Sequence, residues 1–444
     1  LNIKKDGFMA TIVIVGSSTG GLPMAYDVRK QIGKEHTVKV VNAIDEFNFI
    51  PSNPWVAVGW RKSSDISFKL EPHLVRKGIE FYHQTATKLD PQNNKLTLSD
   101  GNEMTYDYLV LATGPSLAFD EVEGLGPKSQ GGHTVSICTT PHAVEAYDQW
   151  EEFCQNPGPI VFGAVQGASC FGPAYEFGMI METDLRKRKI RSQVPMTFVT
   201  SEPYIGHLGL GGVGDSKGLM ENEMRDRHIN WICNAKVTKI EAGKMYVDEY
   251  NHRGDVIDQH ELPFKYSMML PAFKGSKFLQ DLVEPENMGG PLVNPRGFVK
   301  VDSYSRNATY HNIYALGVGI AIPPVEATPV PVGTPKTGLM IESMVTAICH
   351  NIEANLAGKG PVEEPTWNTV CLADMGDTGA AFVALPQIPP RNLTWAKRGK
   401  WVHLAKIAFE KYFIRNMKAG NSEPIYQKYI MKMLGISRLK SEKQ

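Results

Sequence analysis

A run of mostly β-branched residues, Ala10-Thr11-Ile12-Val13-Ile14-Val15, stops at Gly16 and opens into Gly16-Ser17-Ser18-Thr19-Gly20-Gly21. A helical stretch follows from about Gly21 to Gly33, then a second strand from Thr37 to Asn42. Strand, glycine turn, helix and strand make a βαβ unit, which confines the chain to an α/β fold with a parallel sheet. Backbone N–H groups in such a turn, aligned with the helix dipole, can hold a pyrophosphate. The pattern is an imperfect GxGxxG, because Ser18 takes the middle slot. Serine is small enough to let the backbone approach a phosphate. The acidic ribose partner expected further on is missing at the strand end, where Asn42 stands with Asp45 and Glu46 just beyond.

A second unit of the same kind starts at Pro159-Ile160-Val161-Phe162-Gly163, with a helix after Cys170 and a strand at Met196–Thr200. Its loop, Gly163-Ala164-Val165-Gln166-Gly167-Ala168, carries Val165 and Ala168 in the second and third glycine slots. A valine side chain where backbone must meet phosphate argues against a nicotinamide cofactor. Hairpins are expected around Lys95–Leu98, with its turn at Ser99-Asp100-Gly101-Asn102, and around Lys236–Val247. Buried strands run from Tyr106 into Ala112-Thr113-Gly114 and from Ile313 into Gly317. A proline-rich loop spans Pro323 to Pro335, and a helix follows from about Gly338 to Leu356. Pro361–Pro390 reads as irregular, and helices at Lys400–Ala419 and Pro424–Leu434 close the chain. The fold class is α/β, with two Rossmann-like three-layer domains and a C-terminal helical region.

Composition narrows the class. The 444 residues suffice for two to three domains, and 42% hydrophobic with 21% charged residues is globular. No apolar run reaches the ~18 residues of a spanning helix. Leu1–Phe8 is short and polar, unlike a signal peptide, and Met9 is a candidate natural start. Lys+Arg and Asp+Glu both number 47, but the balance is uneven. From Arg391 to Gln444 there are 13 basic residues against Glu410, Glu423 and Glu442, a net of +10, so the other 390 residues carry −10. A basic tail on an acidic body points to an anionic surface. The six cysteines, Cys138, Cys154, Cys170, Cys233, Cys349 and Cys371, form no metal-ligand spacing and are too sparse for a disulfide scaffold.

Several segments together resemble the sulfide:quinone oxidoreductase family of the flavin-dependent disulfide reductases, over nearly the whole chain from Ala10 to about Lys440. They are Phe49-Ile50-Pro51-Ser52-Asn53-Pro54-Trp55, Gly167-Ala168-Ser169-Cys170-Phe171-Gly172-Pro173-Ala174-Tyr175-Glu176 and Ser201-Glu202-Pro203-Tyr204-Ile205-Gly206-His207. Thr334-Pro335-Lys336-Thr337-Gly338 and Val370-Cys371-Leu372-Ala373-Asp374-Met375-Gly376 complete the set. The resemblance implies FAD on the first half, assigned to 9–125 and 290–360, and a second Rossmann-like domain over 126–289 with no NAD. It also implies a membrane- and quinone-binding region over 361–444. FAD contacts are expected at Gly16, Ser18, Gly20, Gly21, Asn42, Ala86, Ala112, Thr113, Gly114, Gly317 and Lys336. The wider superfamily places an aspartate after the late strand's glycine, whereas Val318 follows Gly317 here.

The same resemblance maps three redox cysteines onto Cys138, Cys170 and Cys371, with Cys170 and Cys371 as the reactive pair. HS⁻ attacks a disulfide sulfur, and exchange leaves a persulfide and a thiolate. Sulfide would thus become zero-valent sulfur or polysulfide while electrons pass through FAD to membrane quinone. Cys170 at a helix N-terminus is expected to have a lowered thiol pKa. Glu176 is a candidate acid or base, and His142 and His207 titrate in the right range to move protons. Trp401, Leu404, Ile407, Phe409, Tyr412, Phe413 and Met417 interleave with Lys400, Lys406, Lys411, Arg415 and Lys418, the pattern of an interfacial helix. Phe409, Tyr412 and Phe413 are the candidates for quinone contact. The reading is a monotopic enzyme on the cell membrane, with sulfide, quinone and a bilayer surface as partners. Homo-oligomers would multiply its membrane contact, and nucleic acid has no role. The alternatives are an NADH:quinone oxidoreductase of the same fold and a flavocytochrome-type sulfide dehydrogenase subunit.

Overall fold

Strand Thr11–Val15 is buried along almost its whole length, and its neighbours explain why. It lies at the centre of a five-stranded parallel sheet, flanked by Thr37–Asn42 and Tyr108–Leu111, with Glu80–His83 and Ile313–Ala315 at the two edges. A parallel strand covered on both faces has no polar side, hence the uninterrupted Ile-Val-Ile-Val. Helix α1 (Gly21–Gln31) returns the chain over this sheet, with Pro23 in its first turn and Arg29 and Lys30 in its last. The computed structural model describes residues 9–422, 429, 431–433 and 435–443. Leu1–Phe8 and most of the helix expected at Pro424–Leu434 lie outside them.

Helix α2 (Thr140–Gln155) was not foreseen in the sequence, although Thr139 caps it by accepting the N–H of His142 and Pro141 sits in its first turn. Beyond it, Ile160–Ala164 is the inner strand of a second parallel sheet, in the order Ile229–Ile232, Met196–Thr200, Ile160–Ala164 and Tyr266–Leu270. Helix α3 (Gly172–Lys187) follows, and every residue from Ala174 to Leu185 is buried. A helix buried all round must have partners on all sides. One is the second sheet, where Gly178 lets Phe162 approach: a Cβ there would stand 2.0 Å from the ring. Another is the C-terminal strand Thr369–Asp374. The hairpin expected near Lys236–Val247 is a three-stranded meander, Ala235–Glu241, Lys244–Tyr250 and Val256–Pro263.

The chain then returns to the first sheet through Ile313–Ala315 and the apolar helix α4 (Gly338–Leu356), which packs on α1. The region 361–390 corrects the sequence reading. It is not irregular: Thr369–Asp374 pairs antiparallel with Gly379–Leu385, which pairs with Leu393–Arg398. The strands between proline-rich flanks carry small residues (Ala373, Ala380, Ala381, Ala384) that weaken the usual β signal. Helix α5 (Lys400–Ala419) lies across this sheet and reaches the first half, where Phe413 packs 5.2 Å from Phe49 and Tyr26 donates to the Met417 carbonyl.

Candidate active site

Gly16 adopts φ +99°, and a Cβ on it would lie 2.3 Å from the Ala112 carbonyl oxygen. A Cβ on Gly21 would meet the Gly16 carbonyl at 2.0 Å, so the turn closes only with glycine at both places. Asn42 serves this turn: its Oδ1 accepts the Ser17 N–H at 3.1 Å, and its Nδ2 donates to the Ile44 carbonyl. Its amide is thereby committed to bracing the turn. Among the described residues the buried Ser17 hydroxyl has no hydrogen-bond partner, which is costly unless a ligand supplies one. Gly114 and Gly338 have open space where a Cβ would project, and at Gly317 the nearest atom would be 3.8 Å away. Thr113 accepts from Ser276 at 2.5 Å, and Ala86 is a buried residue at the start of Ala86–Asp90. The glycine turn that opens α1, an orphan hydroxyl and glycines facing open space fit FAD, with Lys336 also present.

The second glycine loop differs in its hydrogen bonds. The N–H groups of Val165, Gly167 and Ala168 donate to the carbonyls of Leu270, Pro331 and Val165. Val165 itself is buried in the core of the second half. A loop whose donors already have partners offers little to a pyrophosphate.

Three cysteines converge although they are far apart in sequence. Cys170 sits between strand Ile160–Ala164 and α3, Cys371 lies mid-strand opposite Phe382, and Cys138 precedes α2. Burial pushes the Cys170 thiol up to about 12, reinforced by Cys371 and Cys138 and opposed by the Lys336 ammonium. Burial likewise raises Cys371 and Cys138 to about 11. This corrects the expectation of a lowered thiol at Cys170. The residue lies two positions before Gly172, where α3 begins, and desolvation is the largest influence on its thiol. Lys336 is lowered to about 8 by burial, with Cys170 acting against that.

Glu176, about one turn along α3, is buried and pairs with the equally buried Lys406 of α5. Its carboxyl is raised to about 7, first by burial and then by Asp374, while Lys406 and the backbone N–H of Asp374 pull it back. Both members of this pair act electrostatically on Cys371. Asp374 is wholly buried and accepts Trp55 Nε1 at 2.6 Å and His403 Nδ1 at 2.7 Å. Glu410 accepts Ser52 Oγ at 2.5 Å and Arg61 Nε at 3.0 Å. The sequence reading placed Lys406 among the cations of an interfacial helix, whereas it turns inward to Glu176; Asp374, His403 and Glu410 had no assigned role. An apolar stripe on a helix gives no hint that a lysine beside it turns inward, although Lys406 and Glu410, four apart, share a face.

The two histidines lie elsewhere. His142 Nε2 is 3.1 Å from Gln130, its ring stands against Phe119, and burial lowers its pKa. His207 is buried, bonds Glu326 at 2.7 Å through Nε2, and accepts the Gly209 N–H through Nδ1. Both of its ring nitrogens are occupied. Among the quinone candidates, Phe413 is buried against Phe47 and Phe49, Phe409 is 39% exposed, and Tyr412 is half-buried. The expected stripe thus divides, with Val402, Phe413, Ile414 and Met417 turned inward while Trp401 and Leu404 face out at 50% and 64% exposure.

A parallel dinucleotide fold joined to half-buried, converging cysteines defines a flavoprotein of the disulfide oxidoreductase class. The pyridine nucleotide-disulphide oxidoreductase family pattern matches residues 10–163. The sulfide-quinone reductase of Aquifex aeolicus (strain VF5) is 41% identical over 423 residues, 95% of this chain and 94% of that protein. The crystal structure of the sulfide:quinone oxidoreductase from Aquifex aeolicus superposes with a TM-score of 0.90 at 40% identity, covering 97% of both chains. A mitochondrial sulfide:quinone oxidoreductase of Dictyostelium discoideum is 25% identical over 77% of this chain and 70% of its own. The chain belongs to the sulfide:quinone oxidoreductase family.

Proposed function

We propose that this flavoenzyme oxidises sulfide at Cys170 and Cys371 and delivers the electrons, through FAD, to a quinone on the α5 side of the site. The observation that carries the assignment is the meeting of three half-buried cysteines with the Glu176–Lys406 pair, at the junction of both halves and the C-terminal sheet.

The turn Gly16–Gly21, Ala112–Gly114, Gly317 and Lys336 would hold the cofactor. When bound, FAD accepts an electron pair and passes it on. The rest belongs to the protein. HS⁻ attacks one sulfur of a Cys170–Cys371 disulfide, forming an S–S bond to the attacked cysteine and freeing the other as thiolate. A further HS⁻ attacking the outer sulfur of the persulfide releases HSSH and restores that cysteine as thiolate. Surroundings that raise a thiol to about 11 or 12 make its thiolate a strong electron donor. Lys336 and Lys406 supply the positive charge that lets such a thiolate exist at all. Glu176, near 7, can hold or release a proton at the quinone side.

Among the described residues no helix is long and apolar enough to cross a membrane. Trp401 and Leu404, beside exposed Lys400, Lys411, Arg415 and Lys418, support a reading in which α5 lies on a bilayer surface as a monotopic anchor. Association of several copies would add to that contact.

The test is anaerobic mixing of the yellow protein with sulfide, and separately with NADH, while following flavin absorbance. Bleaching by sulfide, reversed by a soluble quinone, supports the assignment. Bleaching by NADH instead would overturn the reading of Val165 and Ala168.

A further inference from the structure

Quinone reduction consumes protons as well as electrons. Sulfide oxidation runs HS⁻ → S⁰ + H⁺ + 2e⁻, and quinone reduction runs Q + 2e⁻ + 2H⁺ → QH₂. The sum is HS⁻ + Q + H⁺ → S⁰ + QH₂, so each turnover draws at least one proton from solution. Glu176 and Lys406 are both buried, so some group must connect them with water.

We propose that His403, oriented by Asp374, is the port through which the Glu176–Lys406 pair is recharged with protons. Asp374 reaches both sides of this connection. Its carboxylate accepts from Trp55 Nε1 at 2.6 Å, from the Gly376 N–H at 3.1 Å and from His403 Nδ1 at 2.7 Å. Its backbone N–H donates to the Glu176 carboxylate, and its negative charge is felt there. On α5, His403 and Lys406 are three residues apart, so they lie within one turn on neighbouring positions of one face.

The tautomer follows from the partner. Asp374 takes a hydrogen bond from Nδ1, so that nitrogen carries the proton and Nε2 is left as the basic site. Among the described residues Nε2 has no hydrogen-bond partner. The side chain is 24% exposed, while Asp374 is 0% exposed, so the pair bridges surface and interior. A proton taken at Nε2 lets the Nδ1 proton pass to Asp374, next to Glu176, after which the ring returns to its starting tautomer. His403 stands between exposed Trp401 and Leu404, so this exchange would occur at the edge of the proposed bilayer contact. In this scheme His403 and Asp374 both relay the proton, and Asp374 also fixes the orientation of the ring.

The inference rests on quinone meeting the enzyme on the Glu176–Lys406 side. The experiment therefore measures the two half-reactions of the holoenzyme separately, by anaerobic stopped flow in H₂O and D₂O. Reduction by sulfide comes first, then reoxidation by a soluble short-chain ubiquinone. His403→Ala should slow reoxidation by about tenfold or more and enlarge its solvent isotope effect, and added imidazole should restore the rate. His403→Gln should slow it equally, because glutamine fills the space without titrating. Unchanged reoxidation in both variants would overturn the proposal. Slow reoxidation that imidazole does not rescue, with an unaltered isotope effect, would also overturn it while leaving the quinone's position intact. If His403→Ala slowed only the sulfide step, the quinone side itself would be misplaced and the functional reading would fall with it.

Discussion

The thiols of the site should react far more slowly than ordinary cysteines until the pH is high. Burial places Cys371 and Cys138 near 11 and Cys170 near 12, against an ordinary value of 9.0. At neutral pH this leaves about 100-fold less thiolate at Cys371 and about 1000-fold less at Cys170. The more basic thiolates are also more nucleophilic, with a Brønsted slope of about 0.45, which returns roughly 8-fold and 20-fold. The net expectation is alkylation slowed about 10-fold at Cys371 and about 50-fold at Cys170, before any steric hindrance. The assay treats anaerobically reduced, desalted protein with iodoacetamide and follows each cysteine by mass spectrometry from about pH 7 to 10. Rates should climb about tenfold per pH unit with no plateau. Lys336→Met removes the one cation opposing the shift at Cys170, so it should slow Cys170 further and leave Cys371 unchanged. A plateau at neutral pH for Cys170 would show that the field of α3 prevails over desolvation. That result would refute the reasoning.

Other consequences can be checked directly. Cys170→Ala and Cys371→Ser should each abolish flavin reduction by sulfide, whereas Trp401→Ser with Leu404→Ser should spare it and weaken sedimentation with anionic vesicles. Gly21→Ala places a Cβ 2.0 Å from the Gly16 carbonyl and should yield colourless protein, read from the flavin-to-protein absorbance ratio. Glu410→Ala leaves Arg61 and Ser52 without their shared partner and should cost about 3 kcal/mol, seen as a lowered thermal midpoint. Glu202, raised by burial from 4.5 to about 7, favours its neutral form on folding. Its contribution is therefore fully present below about 4.5 and is lost as pH rises through 7, about 3 kcal/mol in all. Unfolding midpoints at about pH 5 and pH 8 should differ accordingly, and Glu202→Gln should shrink that difference.

Local signals carried the reading furthest where one residue's geometry decides the outcome. The turn at Gly16 and the all-apolar strand that feeds it report a parallel sheet because both have a single structural use. The damaged loop at Val165 was legible for the same reason, since a side chain there changes what backbone can approach. The three cysteines are different. Nothing in spacings of 32 and 201 residues, from Cys138 to Cys170 and on to Cys371, brings them together; only resemblance to a family did. Their electrostatics were misjudged because a helix N-terminus is visible in sequence and burial is not.

Helix α5 shows why the remaining part of the site was hidden. Its boundaries, Lys400–Ala419, follow from periodicity, and its stripe follows from composition. The sequence reads Lys406 as one of the cations bordering that stripe, which for an isolated helix on a membrane would be right. Here the border is folded inward, because the helix must also close the body over Trp55, Glu176 and Asp374. Each inward charge meets one partner from another element: Glu176 for Lys406, Asp374 for His403, and Arg61 for Glu410. Ion pairs and charged hydrogen bonds drawn out of water seldom add net stability, so three such contacts beneath one helix need another reason to persist. A site that, as proposed, must bring protons to a quinone on the α5 side supplies that reason. The same side chains that fasten the proposed membrane helix to the protein are then the ones that set its proton traffic.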